Sequence, residues 1–206
     1  PTPVIIVGGI HGGYEWNSIL LAYGLLDHFE ANPNLLPPGV TLHILPNANP
    51  DGLARVTGGK TGRFTPADIQ GDTTNGRFNS NDVDLNRNWD CQWQPTAQWR
   101  DRQVSGGAFP FSEAENVHLR DFLLGLDPAV VVFLHSAANG VFAAGCPDTH
   151  QPSMELATIY GRAAGYPIYE TFSAYPITGD AGDWLATQGI ATFTVELRNH
   201  QDLDWN

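Results

Sequence analysis

Two histidines and one glutamate in this sequence have the residue types and spacing of a metal site. His11 and Glu15 are four residues apart at the start of a predicted helix, so both side chains can bind one ion, with His135 as a third ligand. Two imidazoles and one carboxylate suit zinc better than magnesium or calcium, which prefer oxygen ligands, and they leave one coordination position open for water. The alternative is that Glu15 is an exposed acid that complements the helix dipole.

These candidate residues come from distant parts of the chain, and each one follows or ends a predicted strand. His11 comes just after the first strand, His135 ends a middle strand, and Glu196 lies at the end of the last strand. In open α/β sheets the ligand site lies beyond the carboxyl ends of the strands, so these three side chains can meet in one crevice. Taken singly, a histidine at a strand end is more often a hydrogen-bonded structural residue.

Hydrophobic patterning predicts an alternation of strands and helices that would build this crevice. A capping box of Ser112 and Glu115 predicts the start of one helix, which runs to about Leu124. The order of elements predicts an α/β sheet covered by helices on both faces. The predicted strands are 4–7, 41–45, 130–134 and 191–197, and the other predicted helices are 15–29, 154–164 and 183–187.

Residues 47–107 show little periodicity and are rich in glycine, asparagine and aspartate. Within them, the sequence NPDG at 49–52 predicts a turn. A non-periodic stretch of this length is far longer than ordinary connections, so we expect a large, ordered loop with a function.

The composition excludes two classes of protein. The chain of 206 residues has 22 acidic residues against 10 lysines and arginines, a net charge of −12, so it lacks the basic surface of a nucleic-acid-binding protein. It has no apolar run of about 18 residues, and we therefore expect no membrane span. Cys91 and Cys146 are compatible with a disulfide in an oxidising compartment or with two buried thiols, so the compartment stays open.

Five segments resemble the zinc carboxypeptidases, the metallocarboxypeptidase family, in order and spacing over nearly the whole chain. They are GGIHGGYE (8–15), NANPDG (47–52), GRFNSNDVDLNRNW (76–89), FLHS (133–136) and TVELR (194–198). One segment alone would be weak evidence, whereas five in order are specific. The resemblance implies a three-layer α/β/α sandwich around a mixed, mostly parallel sheet, with one zinc ion per chain. It also implies that 1–206 is a single catalytic domain, cut short at both ends.

The resemblance assigns catalytic roles to five residues. It implies that His11, Glu15 and His135 are the zinc ligands, that Glu196 is the general base or acid, and that Arg77 polarises the scissile carbonyl. The chain departs from the common family motif, because three residues instead of two separate the first histidine from the glutamate. These three include a Gly-Gly pair, which can absorb the extra residue.

The resemblance also implies a set of substrate-binding residues. Asn86 and Arg87 would bind the free carboxylate of the substrate, and Tyr175 would be a further catalytic residue that lies over the substrate. Gly182 would leave space in the pocket for the terminal side chain. Asp180 would attract a cationic group there, such as the ammonium of lysine or diaminopimelate, or it would instead face solvent or cap the helix that begins near residue 183.

Structural interpretations stay open for three of these residues. Arg77 and Arg87 could be arginines that pair with Asp82 or Asp84 and hold the loop. Tyr175 could be only the aromatic residue of a turn.

The function expected from these residues is zinc-dependent hydrolysis of a C-terminal peptide bond, or of a peptide-like amide, in a substrate with a free carboxylate. Alternatives in the same superfamily are an N-acyl-amino-acid amidohydrolase and an amidase of cell-wall peptides. An alternative of another class is a catalytically silent module that binds a peptide or a sugar. The presence of Arg77 and Glu196 in addition to three candidate ligands argues against the silent module.

Overall fold

The computed structural model describes residues 1–205. Its strands contain continuous apolar runs, and because successive side chains point to opposite faces, the central sheet is apolar on both faces. The strands are β1 (Thr2–Val7), β2 (Val40–Leu45), β3 (Thr96–Trp99), β4 (Arg102–Ser105), β5 (Val130–Ser136), β6 (Gly140–Ala143), β7 (Ile168–Tyr169) and β8 (Ala191–Leu197). The helices are α1 (Trp16–Ala31), α2 (Pro50–Thr57), α3 (Ala114–Leu126), α4 (Gln151–Ala164) and α5 (Ala181–Thr187).

Six strands form the central sheet, in the order β2-β1-β5-β8-β6-β7. The strands β2, β1, β5 and β8 are parallel, and β6 runs antiparallel to β8. The prediction of a mixed, mostly parallel sheet is therefore confirmed. The short strands β6 and β7 were not predicted, because four and two residues are too few to show a period.

The two faces of the sheet are covered by different helices, which gives the three predicted layers. Successive side chains of β5 point to opposite faces. Val131 and Phe133 pack in one core with side chains of α3 and α5. Val132 and Leu134 pack in the other core with side chains of α1 and α4.

The segment 47–107 contains more regular structure than the sequence predicts. The predicted turn at 49–52 is wrong, because these residues begin helix α2. The Asn49 side chain accepts a hydrogen bond from the Gly52 N–H at 2.8 Å, and Pro50 occupies the first helical position, where its missing N–H costs nothing. The same segment holds the hairpin of β3 and β4 and three short 3₁₀ turns, Pro66–Asp68, Thr74–Arg77 and Leu85–Arg87.

The predicted capping box of α3 is also wrong. Glu113, not Ser112, occupies the N-cap position, and no side chain caps the helix. The Ser112 hydroxyl donates to the Glu113 carboxylate at 2.7 Å, and the same carboxylate accepts from Asn79 and Asn81. Asn79 and Asn81 belong to a distant loop, so the local sequence around Ser112 does not reveal these hydrogen bonds.

Cys91 and Cys146 form a disulfide, with their Cα atoms 6.3 Å apart. The bond joins the segment that follows the 3₁₀ turn Leu85–Arg87 to the loop that follows β6. Within residues 1–205, none of the helices has the length and apolar character needed to cross a bilayer.

Candidate metal and substrate site

The parallel strands bring the predicted site residues to one edge of the sheet. β1 and β5 are in register with Val7 beside Phe133, and β5 and β8 are in register with His135 beside Glu196. His11 lies in the turn that follows β1. The structure therefore brings these three side chains together beyond the carboxyl ends of the strands, as the strand order predicts.

His11, Glu15 and His135 offer three ligand atoms that all lie within 4.8 Å of one another. The Nδ1 atoms of the two histidines are 2.8 and 3.0 Å from the Glu15 carboxylate and 3.2 Å from each other. Glu15 is only 3% exposed, so it is not an exposed helix acid. Two imidazole nitrogens and a buried carboxylate facing one point form a donor set that fits zinc.

The electrostatics of this cluster favour a cation. Burial alone would raise the pKa of Glu15, but the positive charges of His11 and His135 hold it well below its usual range. The His11 Nε2 atom lies 3.4 Å from Asp84 Oδ1 but makes no hydrogen bond. Arg77 and His11 likewise hold the pKa of the buried Asp84 carboxyl well below its usual range, against the effect of burial.

The local backbone that positions Glu15 is a 3₁₀ turn and not the α-helix that the sequence predicts. The turn spans Gly12–Glu15, and α1 begins only at Trp16. A Cβ atom on Gly13 would lie 2.2 Å from Val56 Cγ2, so a glycine is needed for the turn to pack against α2.

Arg77 is buried beside the metal-ligand cluster. Its Nε donates to Asp84 Oδ2 at 2.7 Å, and its Nη1 lies 3.8 Å from Glu15 Oε1. Its Nη2 is buried without a hydrogen-bond partner among the described residues, and the guanidinium lies 4.6 Å from the Trp99 ring centroid. The ion pair with Asp84 considered from the sequence is therefore present, and it leaves the Nη2 amino group of Arg77 without a partner among the described residues.

Asn86 and Arg87 both line a small cavity of about 80 Å³ next to His11. Arg87 donates from Nε to the Gln98 carbonyl at 3.1 Å and from Nη1 to the Asn86 carbonyl at 2.7 Å. Within residues 1–205 the Arg87 guanidinium forms no ion pair, so the pairing with Asp82 or Asp84 considered from the sequence is not observed.

Asp180 lines the same cavity but has both carboxylate oxygens occupied. Oδ1 accepts from the Asp183 N–H at 3.0 Å and so caps α5, and Oδ2 accepts from the Asn86 amide at 2.7 Å. Of the interpretations offered for Asp180, the structure shows the helix cap. The Asn86 amide oxygen accepts from the Ala181 N–H at 3.0 Å, so Asn86 holds the start of α5 with both ends of its side chain.

Gly182 lies on α5 outside the cavity lining, where an added Cβ would be 3.2 Å from Thr192 Cγ2 and 3.5 Å from Ala144 Cβ. Asp183 is the residue that sequence reasoning missed, since the sequence presents it only as a helix start. Its side chain lines the cavity, and its Oδ1 accepts from the Gly145 N–H at 2.9 Å. Burial and the nearby Asp180 carboxylate raise the pKa of Asp183 to about 8.

Glu196 and Tyr175 lie where two cavities meet. Glu196 Oε2 accepts from the Ala138 N–H at 3.1 Å, and burial together with the Glu15 carboxylate raises the pKa of Glu196 to about 7. Tyr175 packs against Phe172 with the ring centroids 4.8 Å apart, and burial raises its pKa. Both residues line the small cavity and a second cleft of about 530 Å³.

Comparison with known proteins supports the reading of the sequence. A sequence profile of the family described as zinc carboxypeptidase matches residues 2–204. Zinc carboxypeptidase A 1 of Anopheles gambiae is 29% identical over 236 residues, an alignment that covers 98% of this chain and 50% of that protein. The chain therefore spans about half the length of this curated relative.

Solved structures show the same fold at lower sequence identity. The murein-tripeptide amidase of Escherichia coli O157 is 23% identical, with a TM-score of 0.68 over 95% of this chain and 72% of that one. The bovine thrombin-activatable fibrinolysis inhibitor, solved with a tick carboxypeptidase inhibitor, is 19% identical, with a TM-score of 0.75 over 98% of this chain and 73% of that one. The profile match over nearly the whole length shows that the chain belongs to the zinc carboxypeptidase family, a family of zinc-dependent hydrolases.

Proposed function

We propose that this protein removes the C-terminal residue of a peptide, or of a peptide-like amide, by zinc-dependent hydrolysis. The observation that supports this most directly is the pair of cavities that meet at His11, Tyr175 and Glu196. The small cavity contains the unpaired cation Arg87, which suits a terminal carboxylate, because a guanidinium can bind a carboxylate bidentately. The larger cleft has room for the rest of the substrate on the other side of the scissile bond.

The protein groups around the meeting point divide the catalytic work. A zinc ion held by His11, Glu15 and His135 would supply a Lewis acid and a water of lowered pKa. Glu196 takes a proton as general base and later donates it to the leaving amine, and its burial, which raises its pKa, suits a carboxyl group that performs both roles. The free Nη2 of Arg77 donates to the developing oxyanion of the scissile carbonyl.

The size of the larger cleft bears on the alternatives. A volume of about 530 Å³ suits a peptide better than the small acyl group of an N-acyl-amino acid. An amidase of cell-wall peptides stays compatible, because two acids, Asp180 and Asp183, border the small cavity and would attract the ammonium of lysine or diaminopimelate. Because Asp183 keeps its proton up to about pH 8, we expect Asp180, whose charge helps to raise that pKa, to contribute most of this attraction at neutral pH.

The proposal is tested with a blocked dipeptide that ends in a free carboxylate and with its terminal amide. We expect about one zinc per chain and hydrolysis of the free acid only. Glu196→Gln should lower kcat by about 10²-fold to 10⁴-fold and keep the zinc, because it removes the general base but no metal ligand. Arg87→Ala should act mainly on KM, because it removes a contact to the bound substrate.

Arg162→Ala, at an exposed position of α4, serves as the control and should change neither constant. Equal hydrolysis of the acid and the amide would contradict the exopeptidase. A well-folded protein that binds the peptide but shows neither zinc nor turnover would favour the silent binding module.

A further inference from the structure

We propose that Arg100, at the tip of the β3–β4 hairpin, binds a carboxylate on the acyl side of the scissile bond. The enzyme would then prefer substrates with a glutamate or aspartate one or two positions before the terminal residue. This inference rests on the proposed function, because it concerns the same substrate in the same site.

The hairpin that carries Arg100 is packed firmly onto the catalytic region. Ala97, Trp99 and Val104 are buried in a cluster that also includes Tyr14 and Tyr175. The Trp99 and Tyr14 rings meet edge to face with their centroids 5.0 Å apart, and Tyr14 directly precedes a candidate metal ligand. The hairpin is therefore an ordered wall of the larger cleft, so that a side chain at its tip has a defined position.

The backbone at the tip of the hairpin is unusual for an arginine. Trp99 pairs with Arg102, which leaves a two-residue turn of Arg100 and Asp101. Arg100 has a φ of +56°, a left-handed conformation that favours glycine at the first position of such a turn. An arginine is thus present where the backbone alone would favour glycine, and its side chain lines the cleft.

Arg100 is also a free cation. Its side chain is exposed, and within residues 1–205 its guanidinium forms no ion pair, whereas Arg77 in the same cleft is paired with Asp84. The Arg100 guanidinium lies 5.8 Å from the Trp99 ring centroid, so the indole supports it from one side. The acids of the cleft, Glu15 and Glu196, belong to the catalytic end, and Arg100 is left to attract an anion from the substrate.

The position of Arg100 sets which part of the substrate it can reach. The larger cleft shares His11, Tyr175 and Glu196 with the small cavity, so the scissile bond lies where the two meet and the acyl part extends into the cleft. Arg77 and Arg100 lie against the same indole ring. Their distances of 4.6 and 5.8 Å from its centroid place the two guanidiniums at most about 10 Å apart. An extended chain advances roughly 3.5 Å per residue, and a glutamate side chain adds to that reach, so a carboxylate one or two residues before the terminal residue can approach Arg100.

The test measures kcat/KM for two matched pairs of blocked peptides, ending in Glu-Lys or Gln-Lys and in Glu-Ala-Lys or Gln-Ala-Lys. We expect the wild-type enzyme to favour glutamate in at least one pair by about twofold to fivefold, the range of an exposed charge pair. Arg100→Gln should abolish this preference, and Arg100→Lys should restore part of it. The preference should also shrink as salt is added, because exposed charges are screened.

Arg102→Gln is the matched control. Arg102 is exposed on the same hairpin, and its guanidinium also lies 5.8 Å from the Trp99 ring centroid, but it lines a different cavity. This variant should keep the glutamate preference. Loss of the preference in Arg102→Gln as well would overturn the assignment to Arg100, because it would point to the general charge of the hairpin.

A binding measurement separates failure of this inference from failure of the proposed function. The same peptides are titrated by calorimetry into Glu196→Gln and into the double variant Glu196→Gln/Arg100→Gln. Tighter binding of the glutamate peptides to the first protein alone supports the inference, even if the wild type turns over neither peptide. Equal affinity for glutamate and glutamine peptides in the first protein overturns it, even if the wild type is an active carboxypeptidase.

Discussion

Replacing Asp183 by asparagine should make the protein more stable above pH 7 and leave its stability near pH 4 almost unchanged. The Asp183 carboxyl lies at the start of α5, where its Oδ1 accepts from the Gly145 N–H at 2.9 Å. Burial and the charge of Asp180 raise its pKa to about 8, and only the Gly145 N–H and the more distant Arg87 act in the other direction. An asparagine side chain can still accept the Gly145 hydrogen bond, but it carries no charge.

The sign of the effect follows from the raised pKa. The folded protein binds a proton on Asp183 up to about pH 8, whereas the unfolded chain releases it near pH 4. The contribution of the Asp183 proton to the unfolding free energy is therefore fully present below about pH 4 and is lost as pH rises to about 8. One pKa unit corresponds to about 1.4 kcal/mol, which sets an upper limit of about 6 kcal/mol for the loss. Because the Asp183 side chain reaches a cavity, where solvent weakens the electrostatic cost, we expect about 2 to 3 kcal/mol.

The assay is urea unfolding at pH 5, 7 and 9 for the wild type, Asp183→Asn and the exposed control Asp148→Asn, all in one zinc-supplemented buffer. The difference in unfolding free energy between Asp183→Asn and the wild type should grow with pH, whereas the control should follow the wild type. Parallel pH profiles for Asp183→Asn and the wild type would refute the reasoning. So would an Asp183→Asn protein that is less stable than the wild type at pH 9.

Two further predictions concern the metal ligands and the disulfide. Glu15→Ala should lower zinc affinity by at least about 100-fold, since it removes a ligand and not merely a supporting contact. Glu30→Ala, on the exposed face of α1, is the control and should keep the affinity. Competition with a chromogenic chelator measures both variants, and full affinity in Glu15→Ala would mean that another group is the third ligand. The double variant Cys91→Ser/Cys146→Ser should lower the unfolding free energy by up to about 4 kcal/mol, because the disulfide closes a loop of 55 residues. Urea unfolding measures this loss. A loss below about 1 kcal/mol would show that the unfolded chain gains little conformational entropy when the loop opens.

Local patterns predict the long elements of this fold well, because their side chains meet one environment along their whole length. β5 alternates between two apolar cores, and its run of branched residues is readable without the rest of the molecule. The sequence NPDG at 49–52 is different, since asparagine followed by proline serves a turn and the first residues of a helix equally well. Asn49 also donates to the Arg77 carbonyl at 3.1 Å, a contact with a distant turn that these four residues do not reveal.

The sequence predicts those residues of the candidate site that lie at the ends of strands. His11, His135 and Glu196 could be grouped because parallel strands carry their ends to one edge of the sheet. The sequence alone does not separate the roles of Asp180 and Asp183. Both line the cavity, and which of them also caps α5 depends on how the preceding loop enters the helix. The role of Asp180 follows from hydrogen bonds to partners in the helix and in a distant turn, which no spacing encodes.

The unusual spacing of the first two candidate metal ligands has a structural explanation that links it to Arg77. Gly12 has a φ of +47°, and a Cβ on it would lie 2.6 Å from the Gly76 carbonyl oxygen. Because this position has no side chain, the 3₁₀ turn that ends in Arg77 packs directly on the 3₁₀ turn that ends in Glu15. The approach leaves Arg77 Nη1 only 3.8 Å from Glu15 Oε1. The extra residue between His11 and Glu15 and the glycines beside it therefore work together: they keep the ligand pair intact while a candidate electrophile is brought against it.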